Sequence, residues 1–240
     1  MSINRAQPRH SVRPSLLLHF AKTKTLDPRI DFTRASTASY YDGRTYAKAE
    51  ENLLIRSQQF ENSWGRSRVT ITQNDTTAPD GTNTADLIEV SNAGPFELVN
   101  QVHPSTLNGS TYTFSAFLKA GNHDFVQIMM QARQNGAFVD VLESAVFDLS
   151  DGSLVSQGGN VGGAVSISDV GNGWYRAVVT NDHVANTNQI ECFLSFADSS
   201  GNTNPSTPVP NGSNFYAWGA QLEQRDSVTA YTPTTDQPIT

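Results

Sequence analysis

Residues 214–235 read Asn-Phe-Tyr-Ala-Trp-Gly-Ala-Gln-Leu-Glu-Gln-Arg-Asp-Ser-Val-Thr-Ala-Tyr-Thr-Pro-Thr-Thr, an alternating run that stops in charged residues. Tyr216, Trp218, Ala220 and Leu222 fall on one face, and Phe215, Ala217, Gly219 and Gln221 on the other. That two-residue period is the mark of a strand with one face on a core. The segment therefore reads as the last strand of a sandwich, with Tyr216 and Trp218 pointing inward.

Working back from it, the same signals recur. Strand-like runs occupy residues 84–90, 96–102, 111–120, 125–131, 138–148, 164–169, 174–180 and 190–197. Tyr112, Phe114, Ala116 and Leu118 share a face opposite Thr113, Ser115, Phe117 and Lys119, and Val126, Ile128 and Met130 repeat the pattern. Between the runs stand Asp80-Gly81, Asn108-Gly109, Asn135-Gly136, Asp151-Gly152, Asn172-Gly173 and Asn211-Gly212, which supply the positive φ that tight hairpins need. About nine strands without intervening helices predict an all-β fold, an antiparallel two-sheet jelly-roll sandwich. Charged residues make up only 16% of the chain, which suits strands and turns better than long salt-bridged helices.

Charge divides the chain in two. Residues 1–50 hold nine Lys or Arg against four acids, a balance of +5, and a net charge of −7 for the whole leaves −12 on residues 51–240. Residues 1–15 carry Pro8 and Pro14 without apolar periodicity, so an extended N-terminal arm is expected there, with a reach of roughly 45 Å. The predicted organisation is a basic arm and docking segment at 1–50 and a β-sandwich at 51–240. Arg5, Arg9 and Arg13 of the arm suit docking on an acidic partner surface; a plainly solvated tail is the alternative. Nucleic acid is the weaker partner, because no aromatic residues interleave with these arginines.

Cys192 is the only cysteine, which excludes an intrachain disulfide and predicts a buried core thiol. The first ten residues lack the apolar stretch of a signal peptide, and residues 16–20 are too short to span a bilayer, so synthesis in a reducing cytoplasm is expected and no membrane partner.

Five blocks in order resemble bacteriophage head-spike, head-fibre and tail-fibre proteins. They are Asp-Phe-Thr-Arg-Ala-Ser-Thr-Ala-Ser-Tyr at 31–40, Glu-Asn-Leu-Leu-Ile-Arg-Ser-Gln-Gln-Phe-Glu-Asn-Ser-Trp at 51–64, and Ala-Pro-Asp-Gly-Thr-Asn-Thr-Ala-Asp-Leu at 78–87. Gly-Trp-Tyr-Arg at 173–176 and Trp-Gly-Ala-Gln-Leu-Glu at 218–223 complete the set. The resemblance implies a jelly roll similar to carbohydrate-binding modules, displayed on a virion, synthesised in a bacterial host, and assembled with other virion proteins and its own copies, a homotrimer by analogy. It covers residues 30–235, and the passage between Tyr40 and Glu51 is shorter than in many such proteins.

The chemistry-bearing residues point away from catalysis. No nucleophile motif, phosphate loop or metal-binding helix is present, the five histidines are scattered, and neither a catalytic residue, a metal ligand nor a cofactor is expected. Asp148 with Asp151, and Asp198 with Asn202, read as turns before they read as acid pairs or calcium loops. Trp64, Trp174 and Trp218 suit a core better than a sugar platform. Phe117 and Phe125, opposite the inward sets of their strands, are the candidates for an exposed glycan or subunit contact. The expected function is a non-enzymatic virion structural protein, a capsid decoration or head fibre ahead of a tail fibre. The alternative is a carbohydrate-binding module for host-surface glycans.

Overall fold

A computed structural model describes the backbone of residues 39–41 and 46–48, and residues 50–105, 109–159, 163–183, 186–204 and 206–240 in full. The expectations for the arm, with Arg5, Arg9 and Arg13, lie outside these residues. Fourteen strands, numbered in chain order, and no helix are found among the described residues. β1 (Ser39–Tyr41) and β2 (Tyr46–Lys48) form a small antiparallel pair.

The other twelve strands make two six-stranded antiparallel sheets. The first runs β10 (Ser153–Gly159), β9 (Ala137–Asp148), β8 (Phe125–Gln134), β13 (Gln189–Phe196), β6 (Leu98–Pro104), β3 (Gly65–Ser67). The second runs β11 (Ala164–Gly171), β12 (Trp174–Asp182), β7 (Thr111–Ala120), β14 (Asn214–Glu223), β5 (Ala85–Val90), β4 (Val69–Thr76). Without the outermost strands, the second sheet reads β12-β7-β14-β5 and the first β9-β8-β13-β6. Each sheet thus alternates early and late strands, the interlocked Greek keys of a jelly roll.

All nine expected strands are present, and the core faces of β7 and β8 are those the alternation predicted. Tyr112, Phe114, Ala116 and Leu118 meet Val126, Ile128 and Met130 between the sheets, with Phe147, Cys192, Leu194 and Phe215. Three strands of the two six-stranded sheets fall outside the expected runs. β3, β4 and β10 lie at sheet edges and are largely exposed, so they lack the apolar period that betrays a strand.

The decisive segment departs from its reading at one residue. Register slips between Trp218 and Gln221, and Gly219 takes a φ of 63°, so β14 carries a bulge. Parity inverts across it. Phe215 and Ala217 point into the main core before the bulge, and Ala220 and Leu222 after it. Tyr216 and Trp218 therefore face outward, which corrects the inward orientation expected of them. Trp218 is nonetheless buried, in a second cluster with Ala78, Ala85, Phe117 and Trp174, against which Tyr216 and Tyr231 pack.

The chain after β14 makes that cluster possible. It returns over the outer face of the second sheet and places the Tyr231 ring 4.6 Å from Trp218 and 6.0 Å from Phe117. Gln221 fastens it through Thr232 N (2.7 Å), and Thr229 O accepts from the Arg176 guanidinium (2.6 Å). Arg176 also lies 5.0 Å over the Phe117 ring. Burial lowers the guanidinium pKa from its ordinary value, and Glu223 opposes the shift.

Asn52 joins both ends of the domain. Its amide nitrogen donates to Ala220 O (3.0 Å) and Thr232 O (2.9 Å), and its oxygen accepts from Leu54 N (3.1 Å) and Leu222 N (3.2 Å). Its backbone bridges to Ile239. Nearby, Glu51 accepts from Gln224 N (2.7 Å) and Ser57 Oγ bonds the Tyr231 hydroxyl (2.6 Å). The block at 51–64 and the closing segment are thus two halves of one joint.

Candidate ligand-binding groove

The outer face of the first sheet follows from alternation. Since Val126, Ile128 and Met130 point into the core, Gln127, Met129, Gln131 and Arg133 point out. Their partners on β13 are Ser195, Phe193, Glu191 and Gln189. On β6, Leu98 pairs with Ser195 and Asn100 with Phe193. On β9, Ser144 lies opposite Met129, and two register slips beyond it bring Val141 and Phe138 opposite Gln131 and Arg133.

These four strands form the floor and walls of a groove of about 630 Å³. Leu98, Met129 and Phe193 make a continuous apolar strip, with Val141 packed beside it. One wall is the loop after β13, contributing Thr203 and Asn204. Gln127 Nε2 donates to Thr203 O (2.5 Å) and Ser156 Oγ to Gly201 O (2.5 Å), which ties that loop across β8 and β10.

Two phenylalanines also line the groove and are open to solvent, Phe96 at 47% and Phe138 at 58% exposure. Phe96 has a φ of 64°, left-handed backbone that costs an L-residue about 1–2 kcal/mol. Its neighbour Glu97 holds that conformation. The buried Glu97 carboxylate accepts from Gly94 N (2.8 Å) and Val209 N (3.1 Å), and its carbonyl accepts from Phe196 N (3.0 Å). An exposed aromatic at a strained position is a feature that binding sites favour over cores.

Beside the apolar strip runs a polar one centred on Glu191, which is 3% exposed. Its carboxylate accepts from Asn100 Nδ2, from Gln131 Nε2 (2.5 Å) and from Arg133 Nε. Arg133 Nη1 also donates to Gly136 O of the β8–β9 turn. Three donors occupy both carboxylate oxygens and fix the planes of two amides and a guanidinium. A flat apolar strip flanked by aromatic rings and by oriented planar polar groups suits a ligand that has both C–H faces and hydroxyls.

The residues singled out from sequence sit elsewhere. Phe117 is 8% exposed, which corrects its expected openness: the chain's own C-terminal segment covers it. Phe125 is half-buried, on the same sheet face as Met129 but outside the groove, with His123 edge-on at 6.3 Å. Trp64 is buried in the main core, 4.8 Å from Phe60. Trp174 is buried on the outer side of the second sheet and donates to Thr77 O (3.1 Å). Asp148 and Asp151 each accept from a backbone N–H two residues on, as turn residues do. Cys192 is buried in the core, where desolvation raises its thiol pKa.

Among the described residues, Ser105 Oγ lies 3.4 Å from His183 Nδ1. The other ring nitrogen faces Thr187 Oγ1 (2.7 Å) where a triad has a carboxylate, and Ser105 and His183 are both buried. No group of three or more His, Cys, Asp or Glu side chains able to hold a metal is found among the described residues.

No protein family model matches the sequence, and no curated protein matches it. Among solved structures, the chain is similar to the enzymatically active domain of tailspike protein 4 from bacteriophage CBA120, at 14% identity and a TM-score of 0.44, over 72% of this chain and 21% of that one. It is similar to the CBM22-1–GH10 modules of a Clostridium thermocellum xylanase, crystallised with xylohexaose, at 10% identity and a TM-score of 0.41, over 73% and 28%. A third is described as a putative sugar binding protein, from Bacteroides thetaiotaomicron, at 12% identity and a TM-score of 0.39, over 73% and 100%. The chain thus spans about a quarter of the first two, and likenesses of this size carry no functional argument.

Proposed function

We propose that this protein is a non-enzymatic component of a bacteriophage virion surface whose jelly roll binds host glycan in the groove of its first sheet. The observation that carries the glycan reading is the groove itself: Leu98, Met129 and Phe193 as floor, Phe96 and Phe138 exposed along it, and the oriented amide of Gln131 beside them. The virion reading is supported by the ordered blocks at 31–40, 51–64, 78–87, 173–176 and 218–223. Their structural roles at 51–64 and 218–223 are those of a shared joint, so they speak for common architecture more than for a common ligand.

The second sheet is the less suitable face, because the protein's own residues 229–232 lie across it. Binding without cleavage fits the polar strip, since the Glu191 carboxylate is engaged by three donors. Residues 1–50 are the docking segment in this reading, with Arg5, Arg9 and Arg13 meeting an acidic capsid or tail component, and homotrimers the assembly. Synthesis in the host cytoplasm and location on the virion belong to the same proposal.

Glycan-array binding of the full chain tests the first part. Saturable binding that falls on Phe96→Ala and Phe138→Ala, with no reducing ends released from the bound polysaccharide, is the expected result. Steady release of reducing ends refutes the non-enzymatic reading. For the arm, a chain lacking residues 2–15 is expected to stay folded and to be missing from assembled virions; normal incorporation refutes the docking role.

A further inference from the structure

We infer that the groove selects uncharged glycans and rejects those bearing carboxylate or sulfate groups, a deepening that rests on the glycan reading above. Among the described residues, Arg133 is the only charged one lining the groove. Its guanidinium is already committed on two sides, with Nε to Glu191 and Nη1 to Gly136 O. Glu191 in turn is buried and receives Asn100 and Gln131 as well. The pair is formally neutral and internally hydrogen-bonded.

An anionic sugar placed here meets no unmatched cation. Its charged group has to shed water against Leu98, Met129, Phe193 and Val141, a transfer that is unfavourable unless a counter-charge replaces the lost hydration. The −12 borne by residues 51–240 adds a repulsive field that lowers the local concentration of anions. The other polar groups of the groove, Gln131, Ser144, Thr203 and Asn204, are neutral donors and acceptors matched to hydroxyls.

The test is calorimetric titration of the full chain with neutral polysaccharides (glucan, xylan, mannan and galactan) and with their acidic forms, the hexose polymers oxidised to 6-carboxylates and xylan carboxymethylated. The expected result is binding to at least one neutral polymer, about tenfold or more weaker for its carboxylated form, with a Kd that changes less than about twofold between low and moderate salt. Tighter binding of the carboxylated form, or affinity that collapses with salt, overturns the selectivity while leaving glycan binding in place. Binding to no polymer of either kind overturns the glycan reading and this inference with it. Glu191→Gln leaves Arg133 without its counter-charge and is expected to gain about tenfold for the carboxylated form relative to the native protein. If that variant does not fold, the salt series on the native protein decides by itself.

Discussion

Asn52→Ala is the most severe single change that the fold predicts outside the apolar core. Asn52 is fully buried, and its side chain serves four backbone groups from three segments: Leu54 N, Ala220 O and Leu222 N of the β14 bulge, and Thr232 O of the returning C-terminal chain. Leaving a buried backbone group unpaired costs about 1–3 kcal/mol. Four such groups set a ceiling near ~12 kcal/mol, but water entering the vacated space repairs some of them, so about 3–5 kcal/mol is expected. For a domain of this size that lowers Tm by roughly 10 °C. Asn52→Asp keeps the shape but turns two donors into acceptors facing Ala220 O and Thr232 O. It is expected to be at least as damaging at neutral pH and to recover in part in acid, where a protonated carboxyl regains one donor. Urea and thermal unfolding of the full chain, followed by circular dichroism, measure both. A loss below about 1 kcal/mol for Asn52→Ala refutes the view that this residue is the joint between the block at 51–64 and the closing segment.

Phe96→Gly separates stability from binding: removing the left-handed strain is expected to raise stability by about 0.5–1 kcal/mol while weakening glycan binding, and a change of the same sign in both speaks against the role given to this residue. Gly219→Ala is expected to cost about 2 kcal/mol, since φ is 63° and a Cβ there meets Phe117 Cδ2 at 2.9 Å; unchanged urea midpoints contradict the bulge as the source of the parity switch. Burial, with the Glu61 carboxyl adding to it, pushes the Asp86 pKa up to about 7, against hydrogen bonds from Asn74 N and Phe60 N that hold it down. The native state then keeps a proton that the unfolded chain releases from its ordinary value of 3.8, so stability falls as pH rises from about 4 to about 7 and levels off above. Glu143, raised by burial, adds in the same direction. Asp86→Asn is expected to flatten that decline in a pH series of urea midpoints; an unaltered slope rules Asp86 out as its source.

Much of the fold could be read from sequence because the two faces of the core strands differ in chemistry although both are buried: the inward sets are wholly apolar, and the outward sets are mixed with Thr113, Ser115, Gln127 and Gln131. In β7 and β8 the inward sets are unbroken, so Tyr112 to Leu118 and Val126 to Met130 were assigned correctly by period alone. The closing strand shows where that reasoning stops. Gly219 carries a visible signal, an isolated glycine within a strand pattern, yet only the register shows that parity inverts there and sends Tyr216 and Trp218 outward. Phe117 was assigned to the correct outer face, but the chain that covers it lies more than a hundred residues downstream, beyond the reach of any local pattern.

The groove was less legible for the same reason. Outward positions of β8 were implied once its core face was known, so Met129 and Gln131 were within reach of the alternation. Their meaning depends on Phe193 and Glu191 arriving beside them from β13 and on Leu98 from β6. The Arg133–Glu191 pair spans 58 residues of sequence, and two bulges in β9 are needed to align Val141 and Phe138 with the same face. Phe96 and Phe138 begin predicted runs, where an aromatic ring reads as core until its exposure is seen.

The central claim is that the first-sheet groove is where ligand binds. Its most direct test is calorimetric affinity for host-cell polysaccharide of the native chain, the Phe96→Ala/Phe138→Ala double variant and Phe125→Ala, all checked for equal Tm. The structure predicts a loss of at least about tenfold for the double variant, from truncating two exposed rings, and little change for Phe125→Ala. Equal affinity for the native chain and the double variant contradicts it.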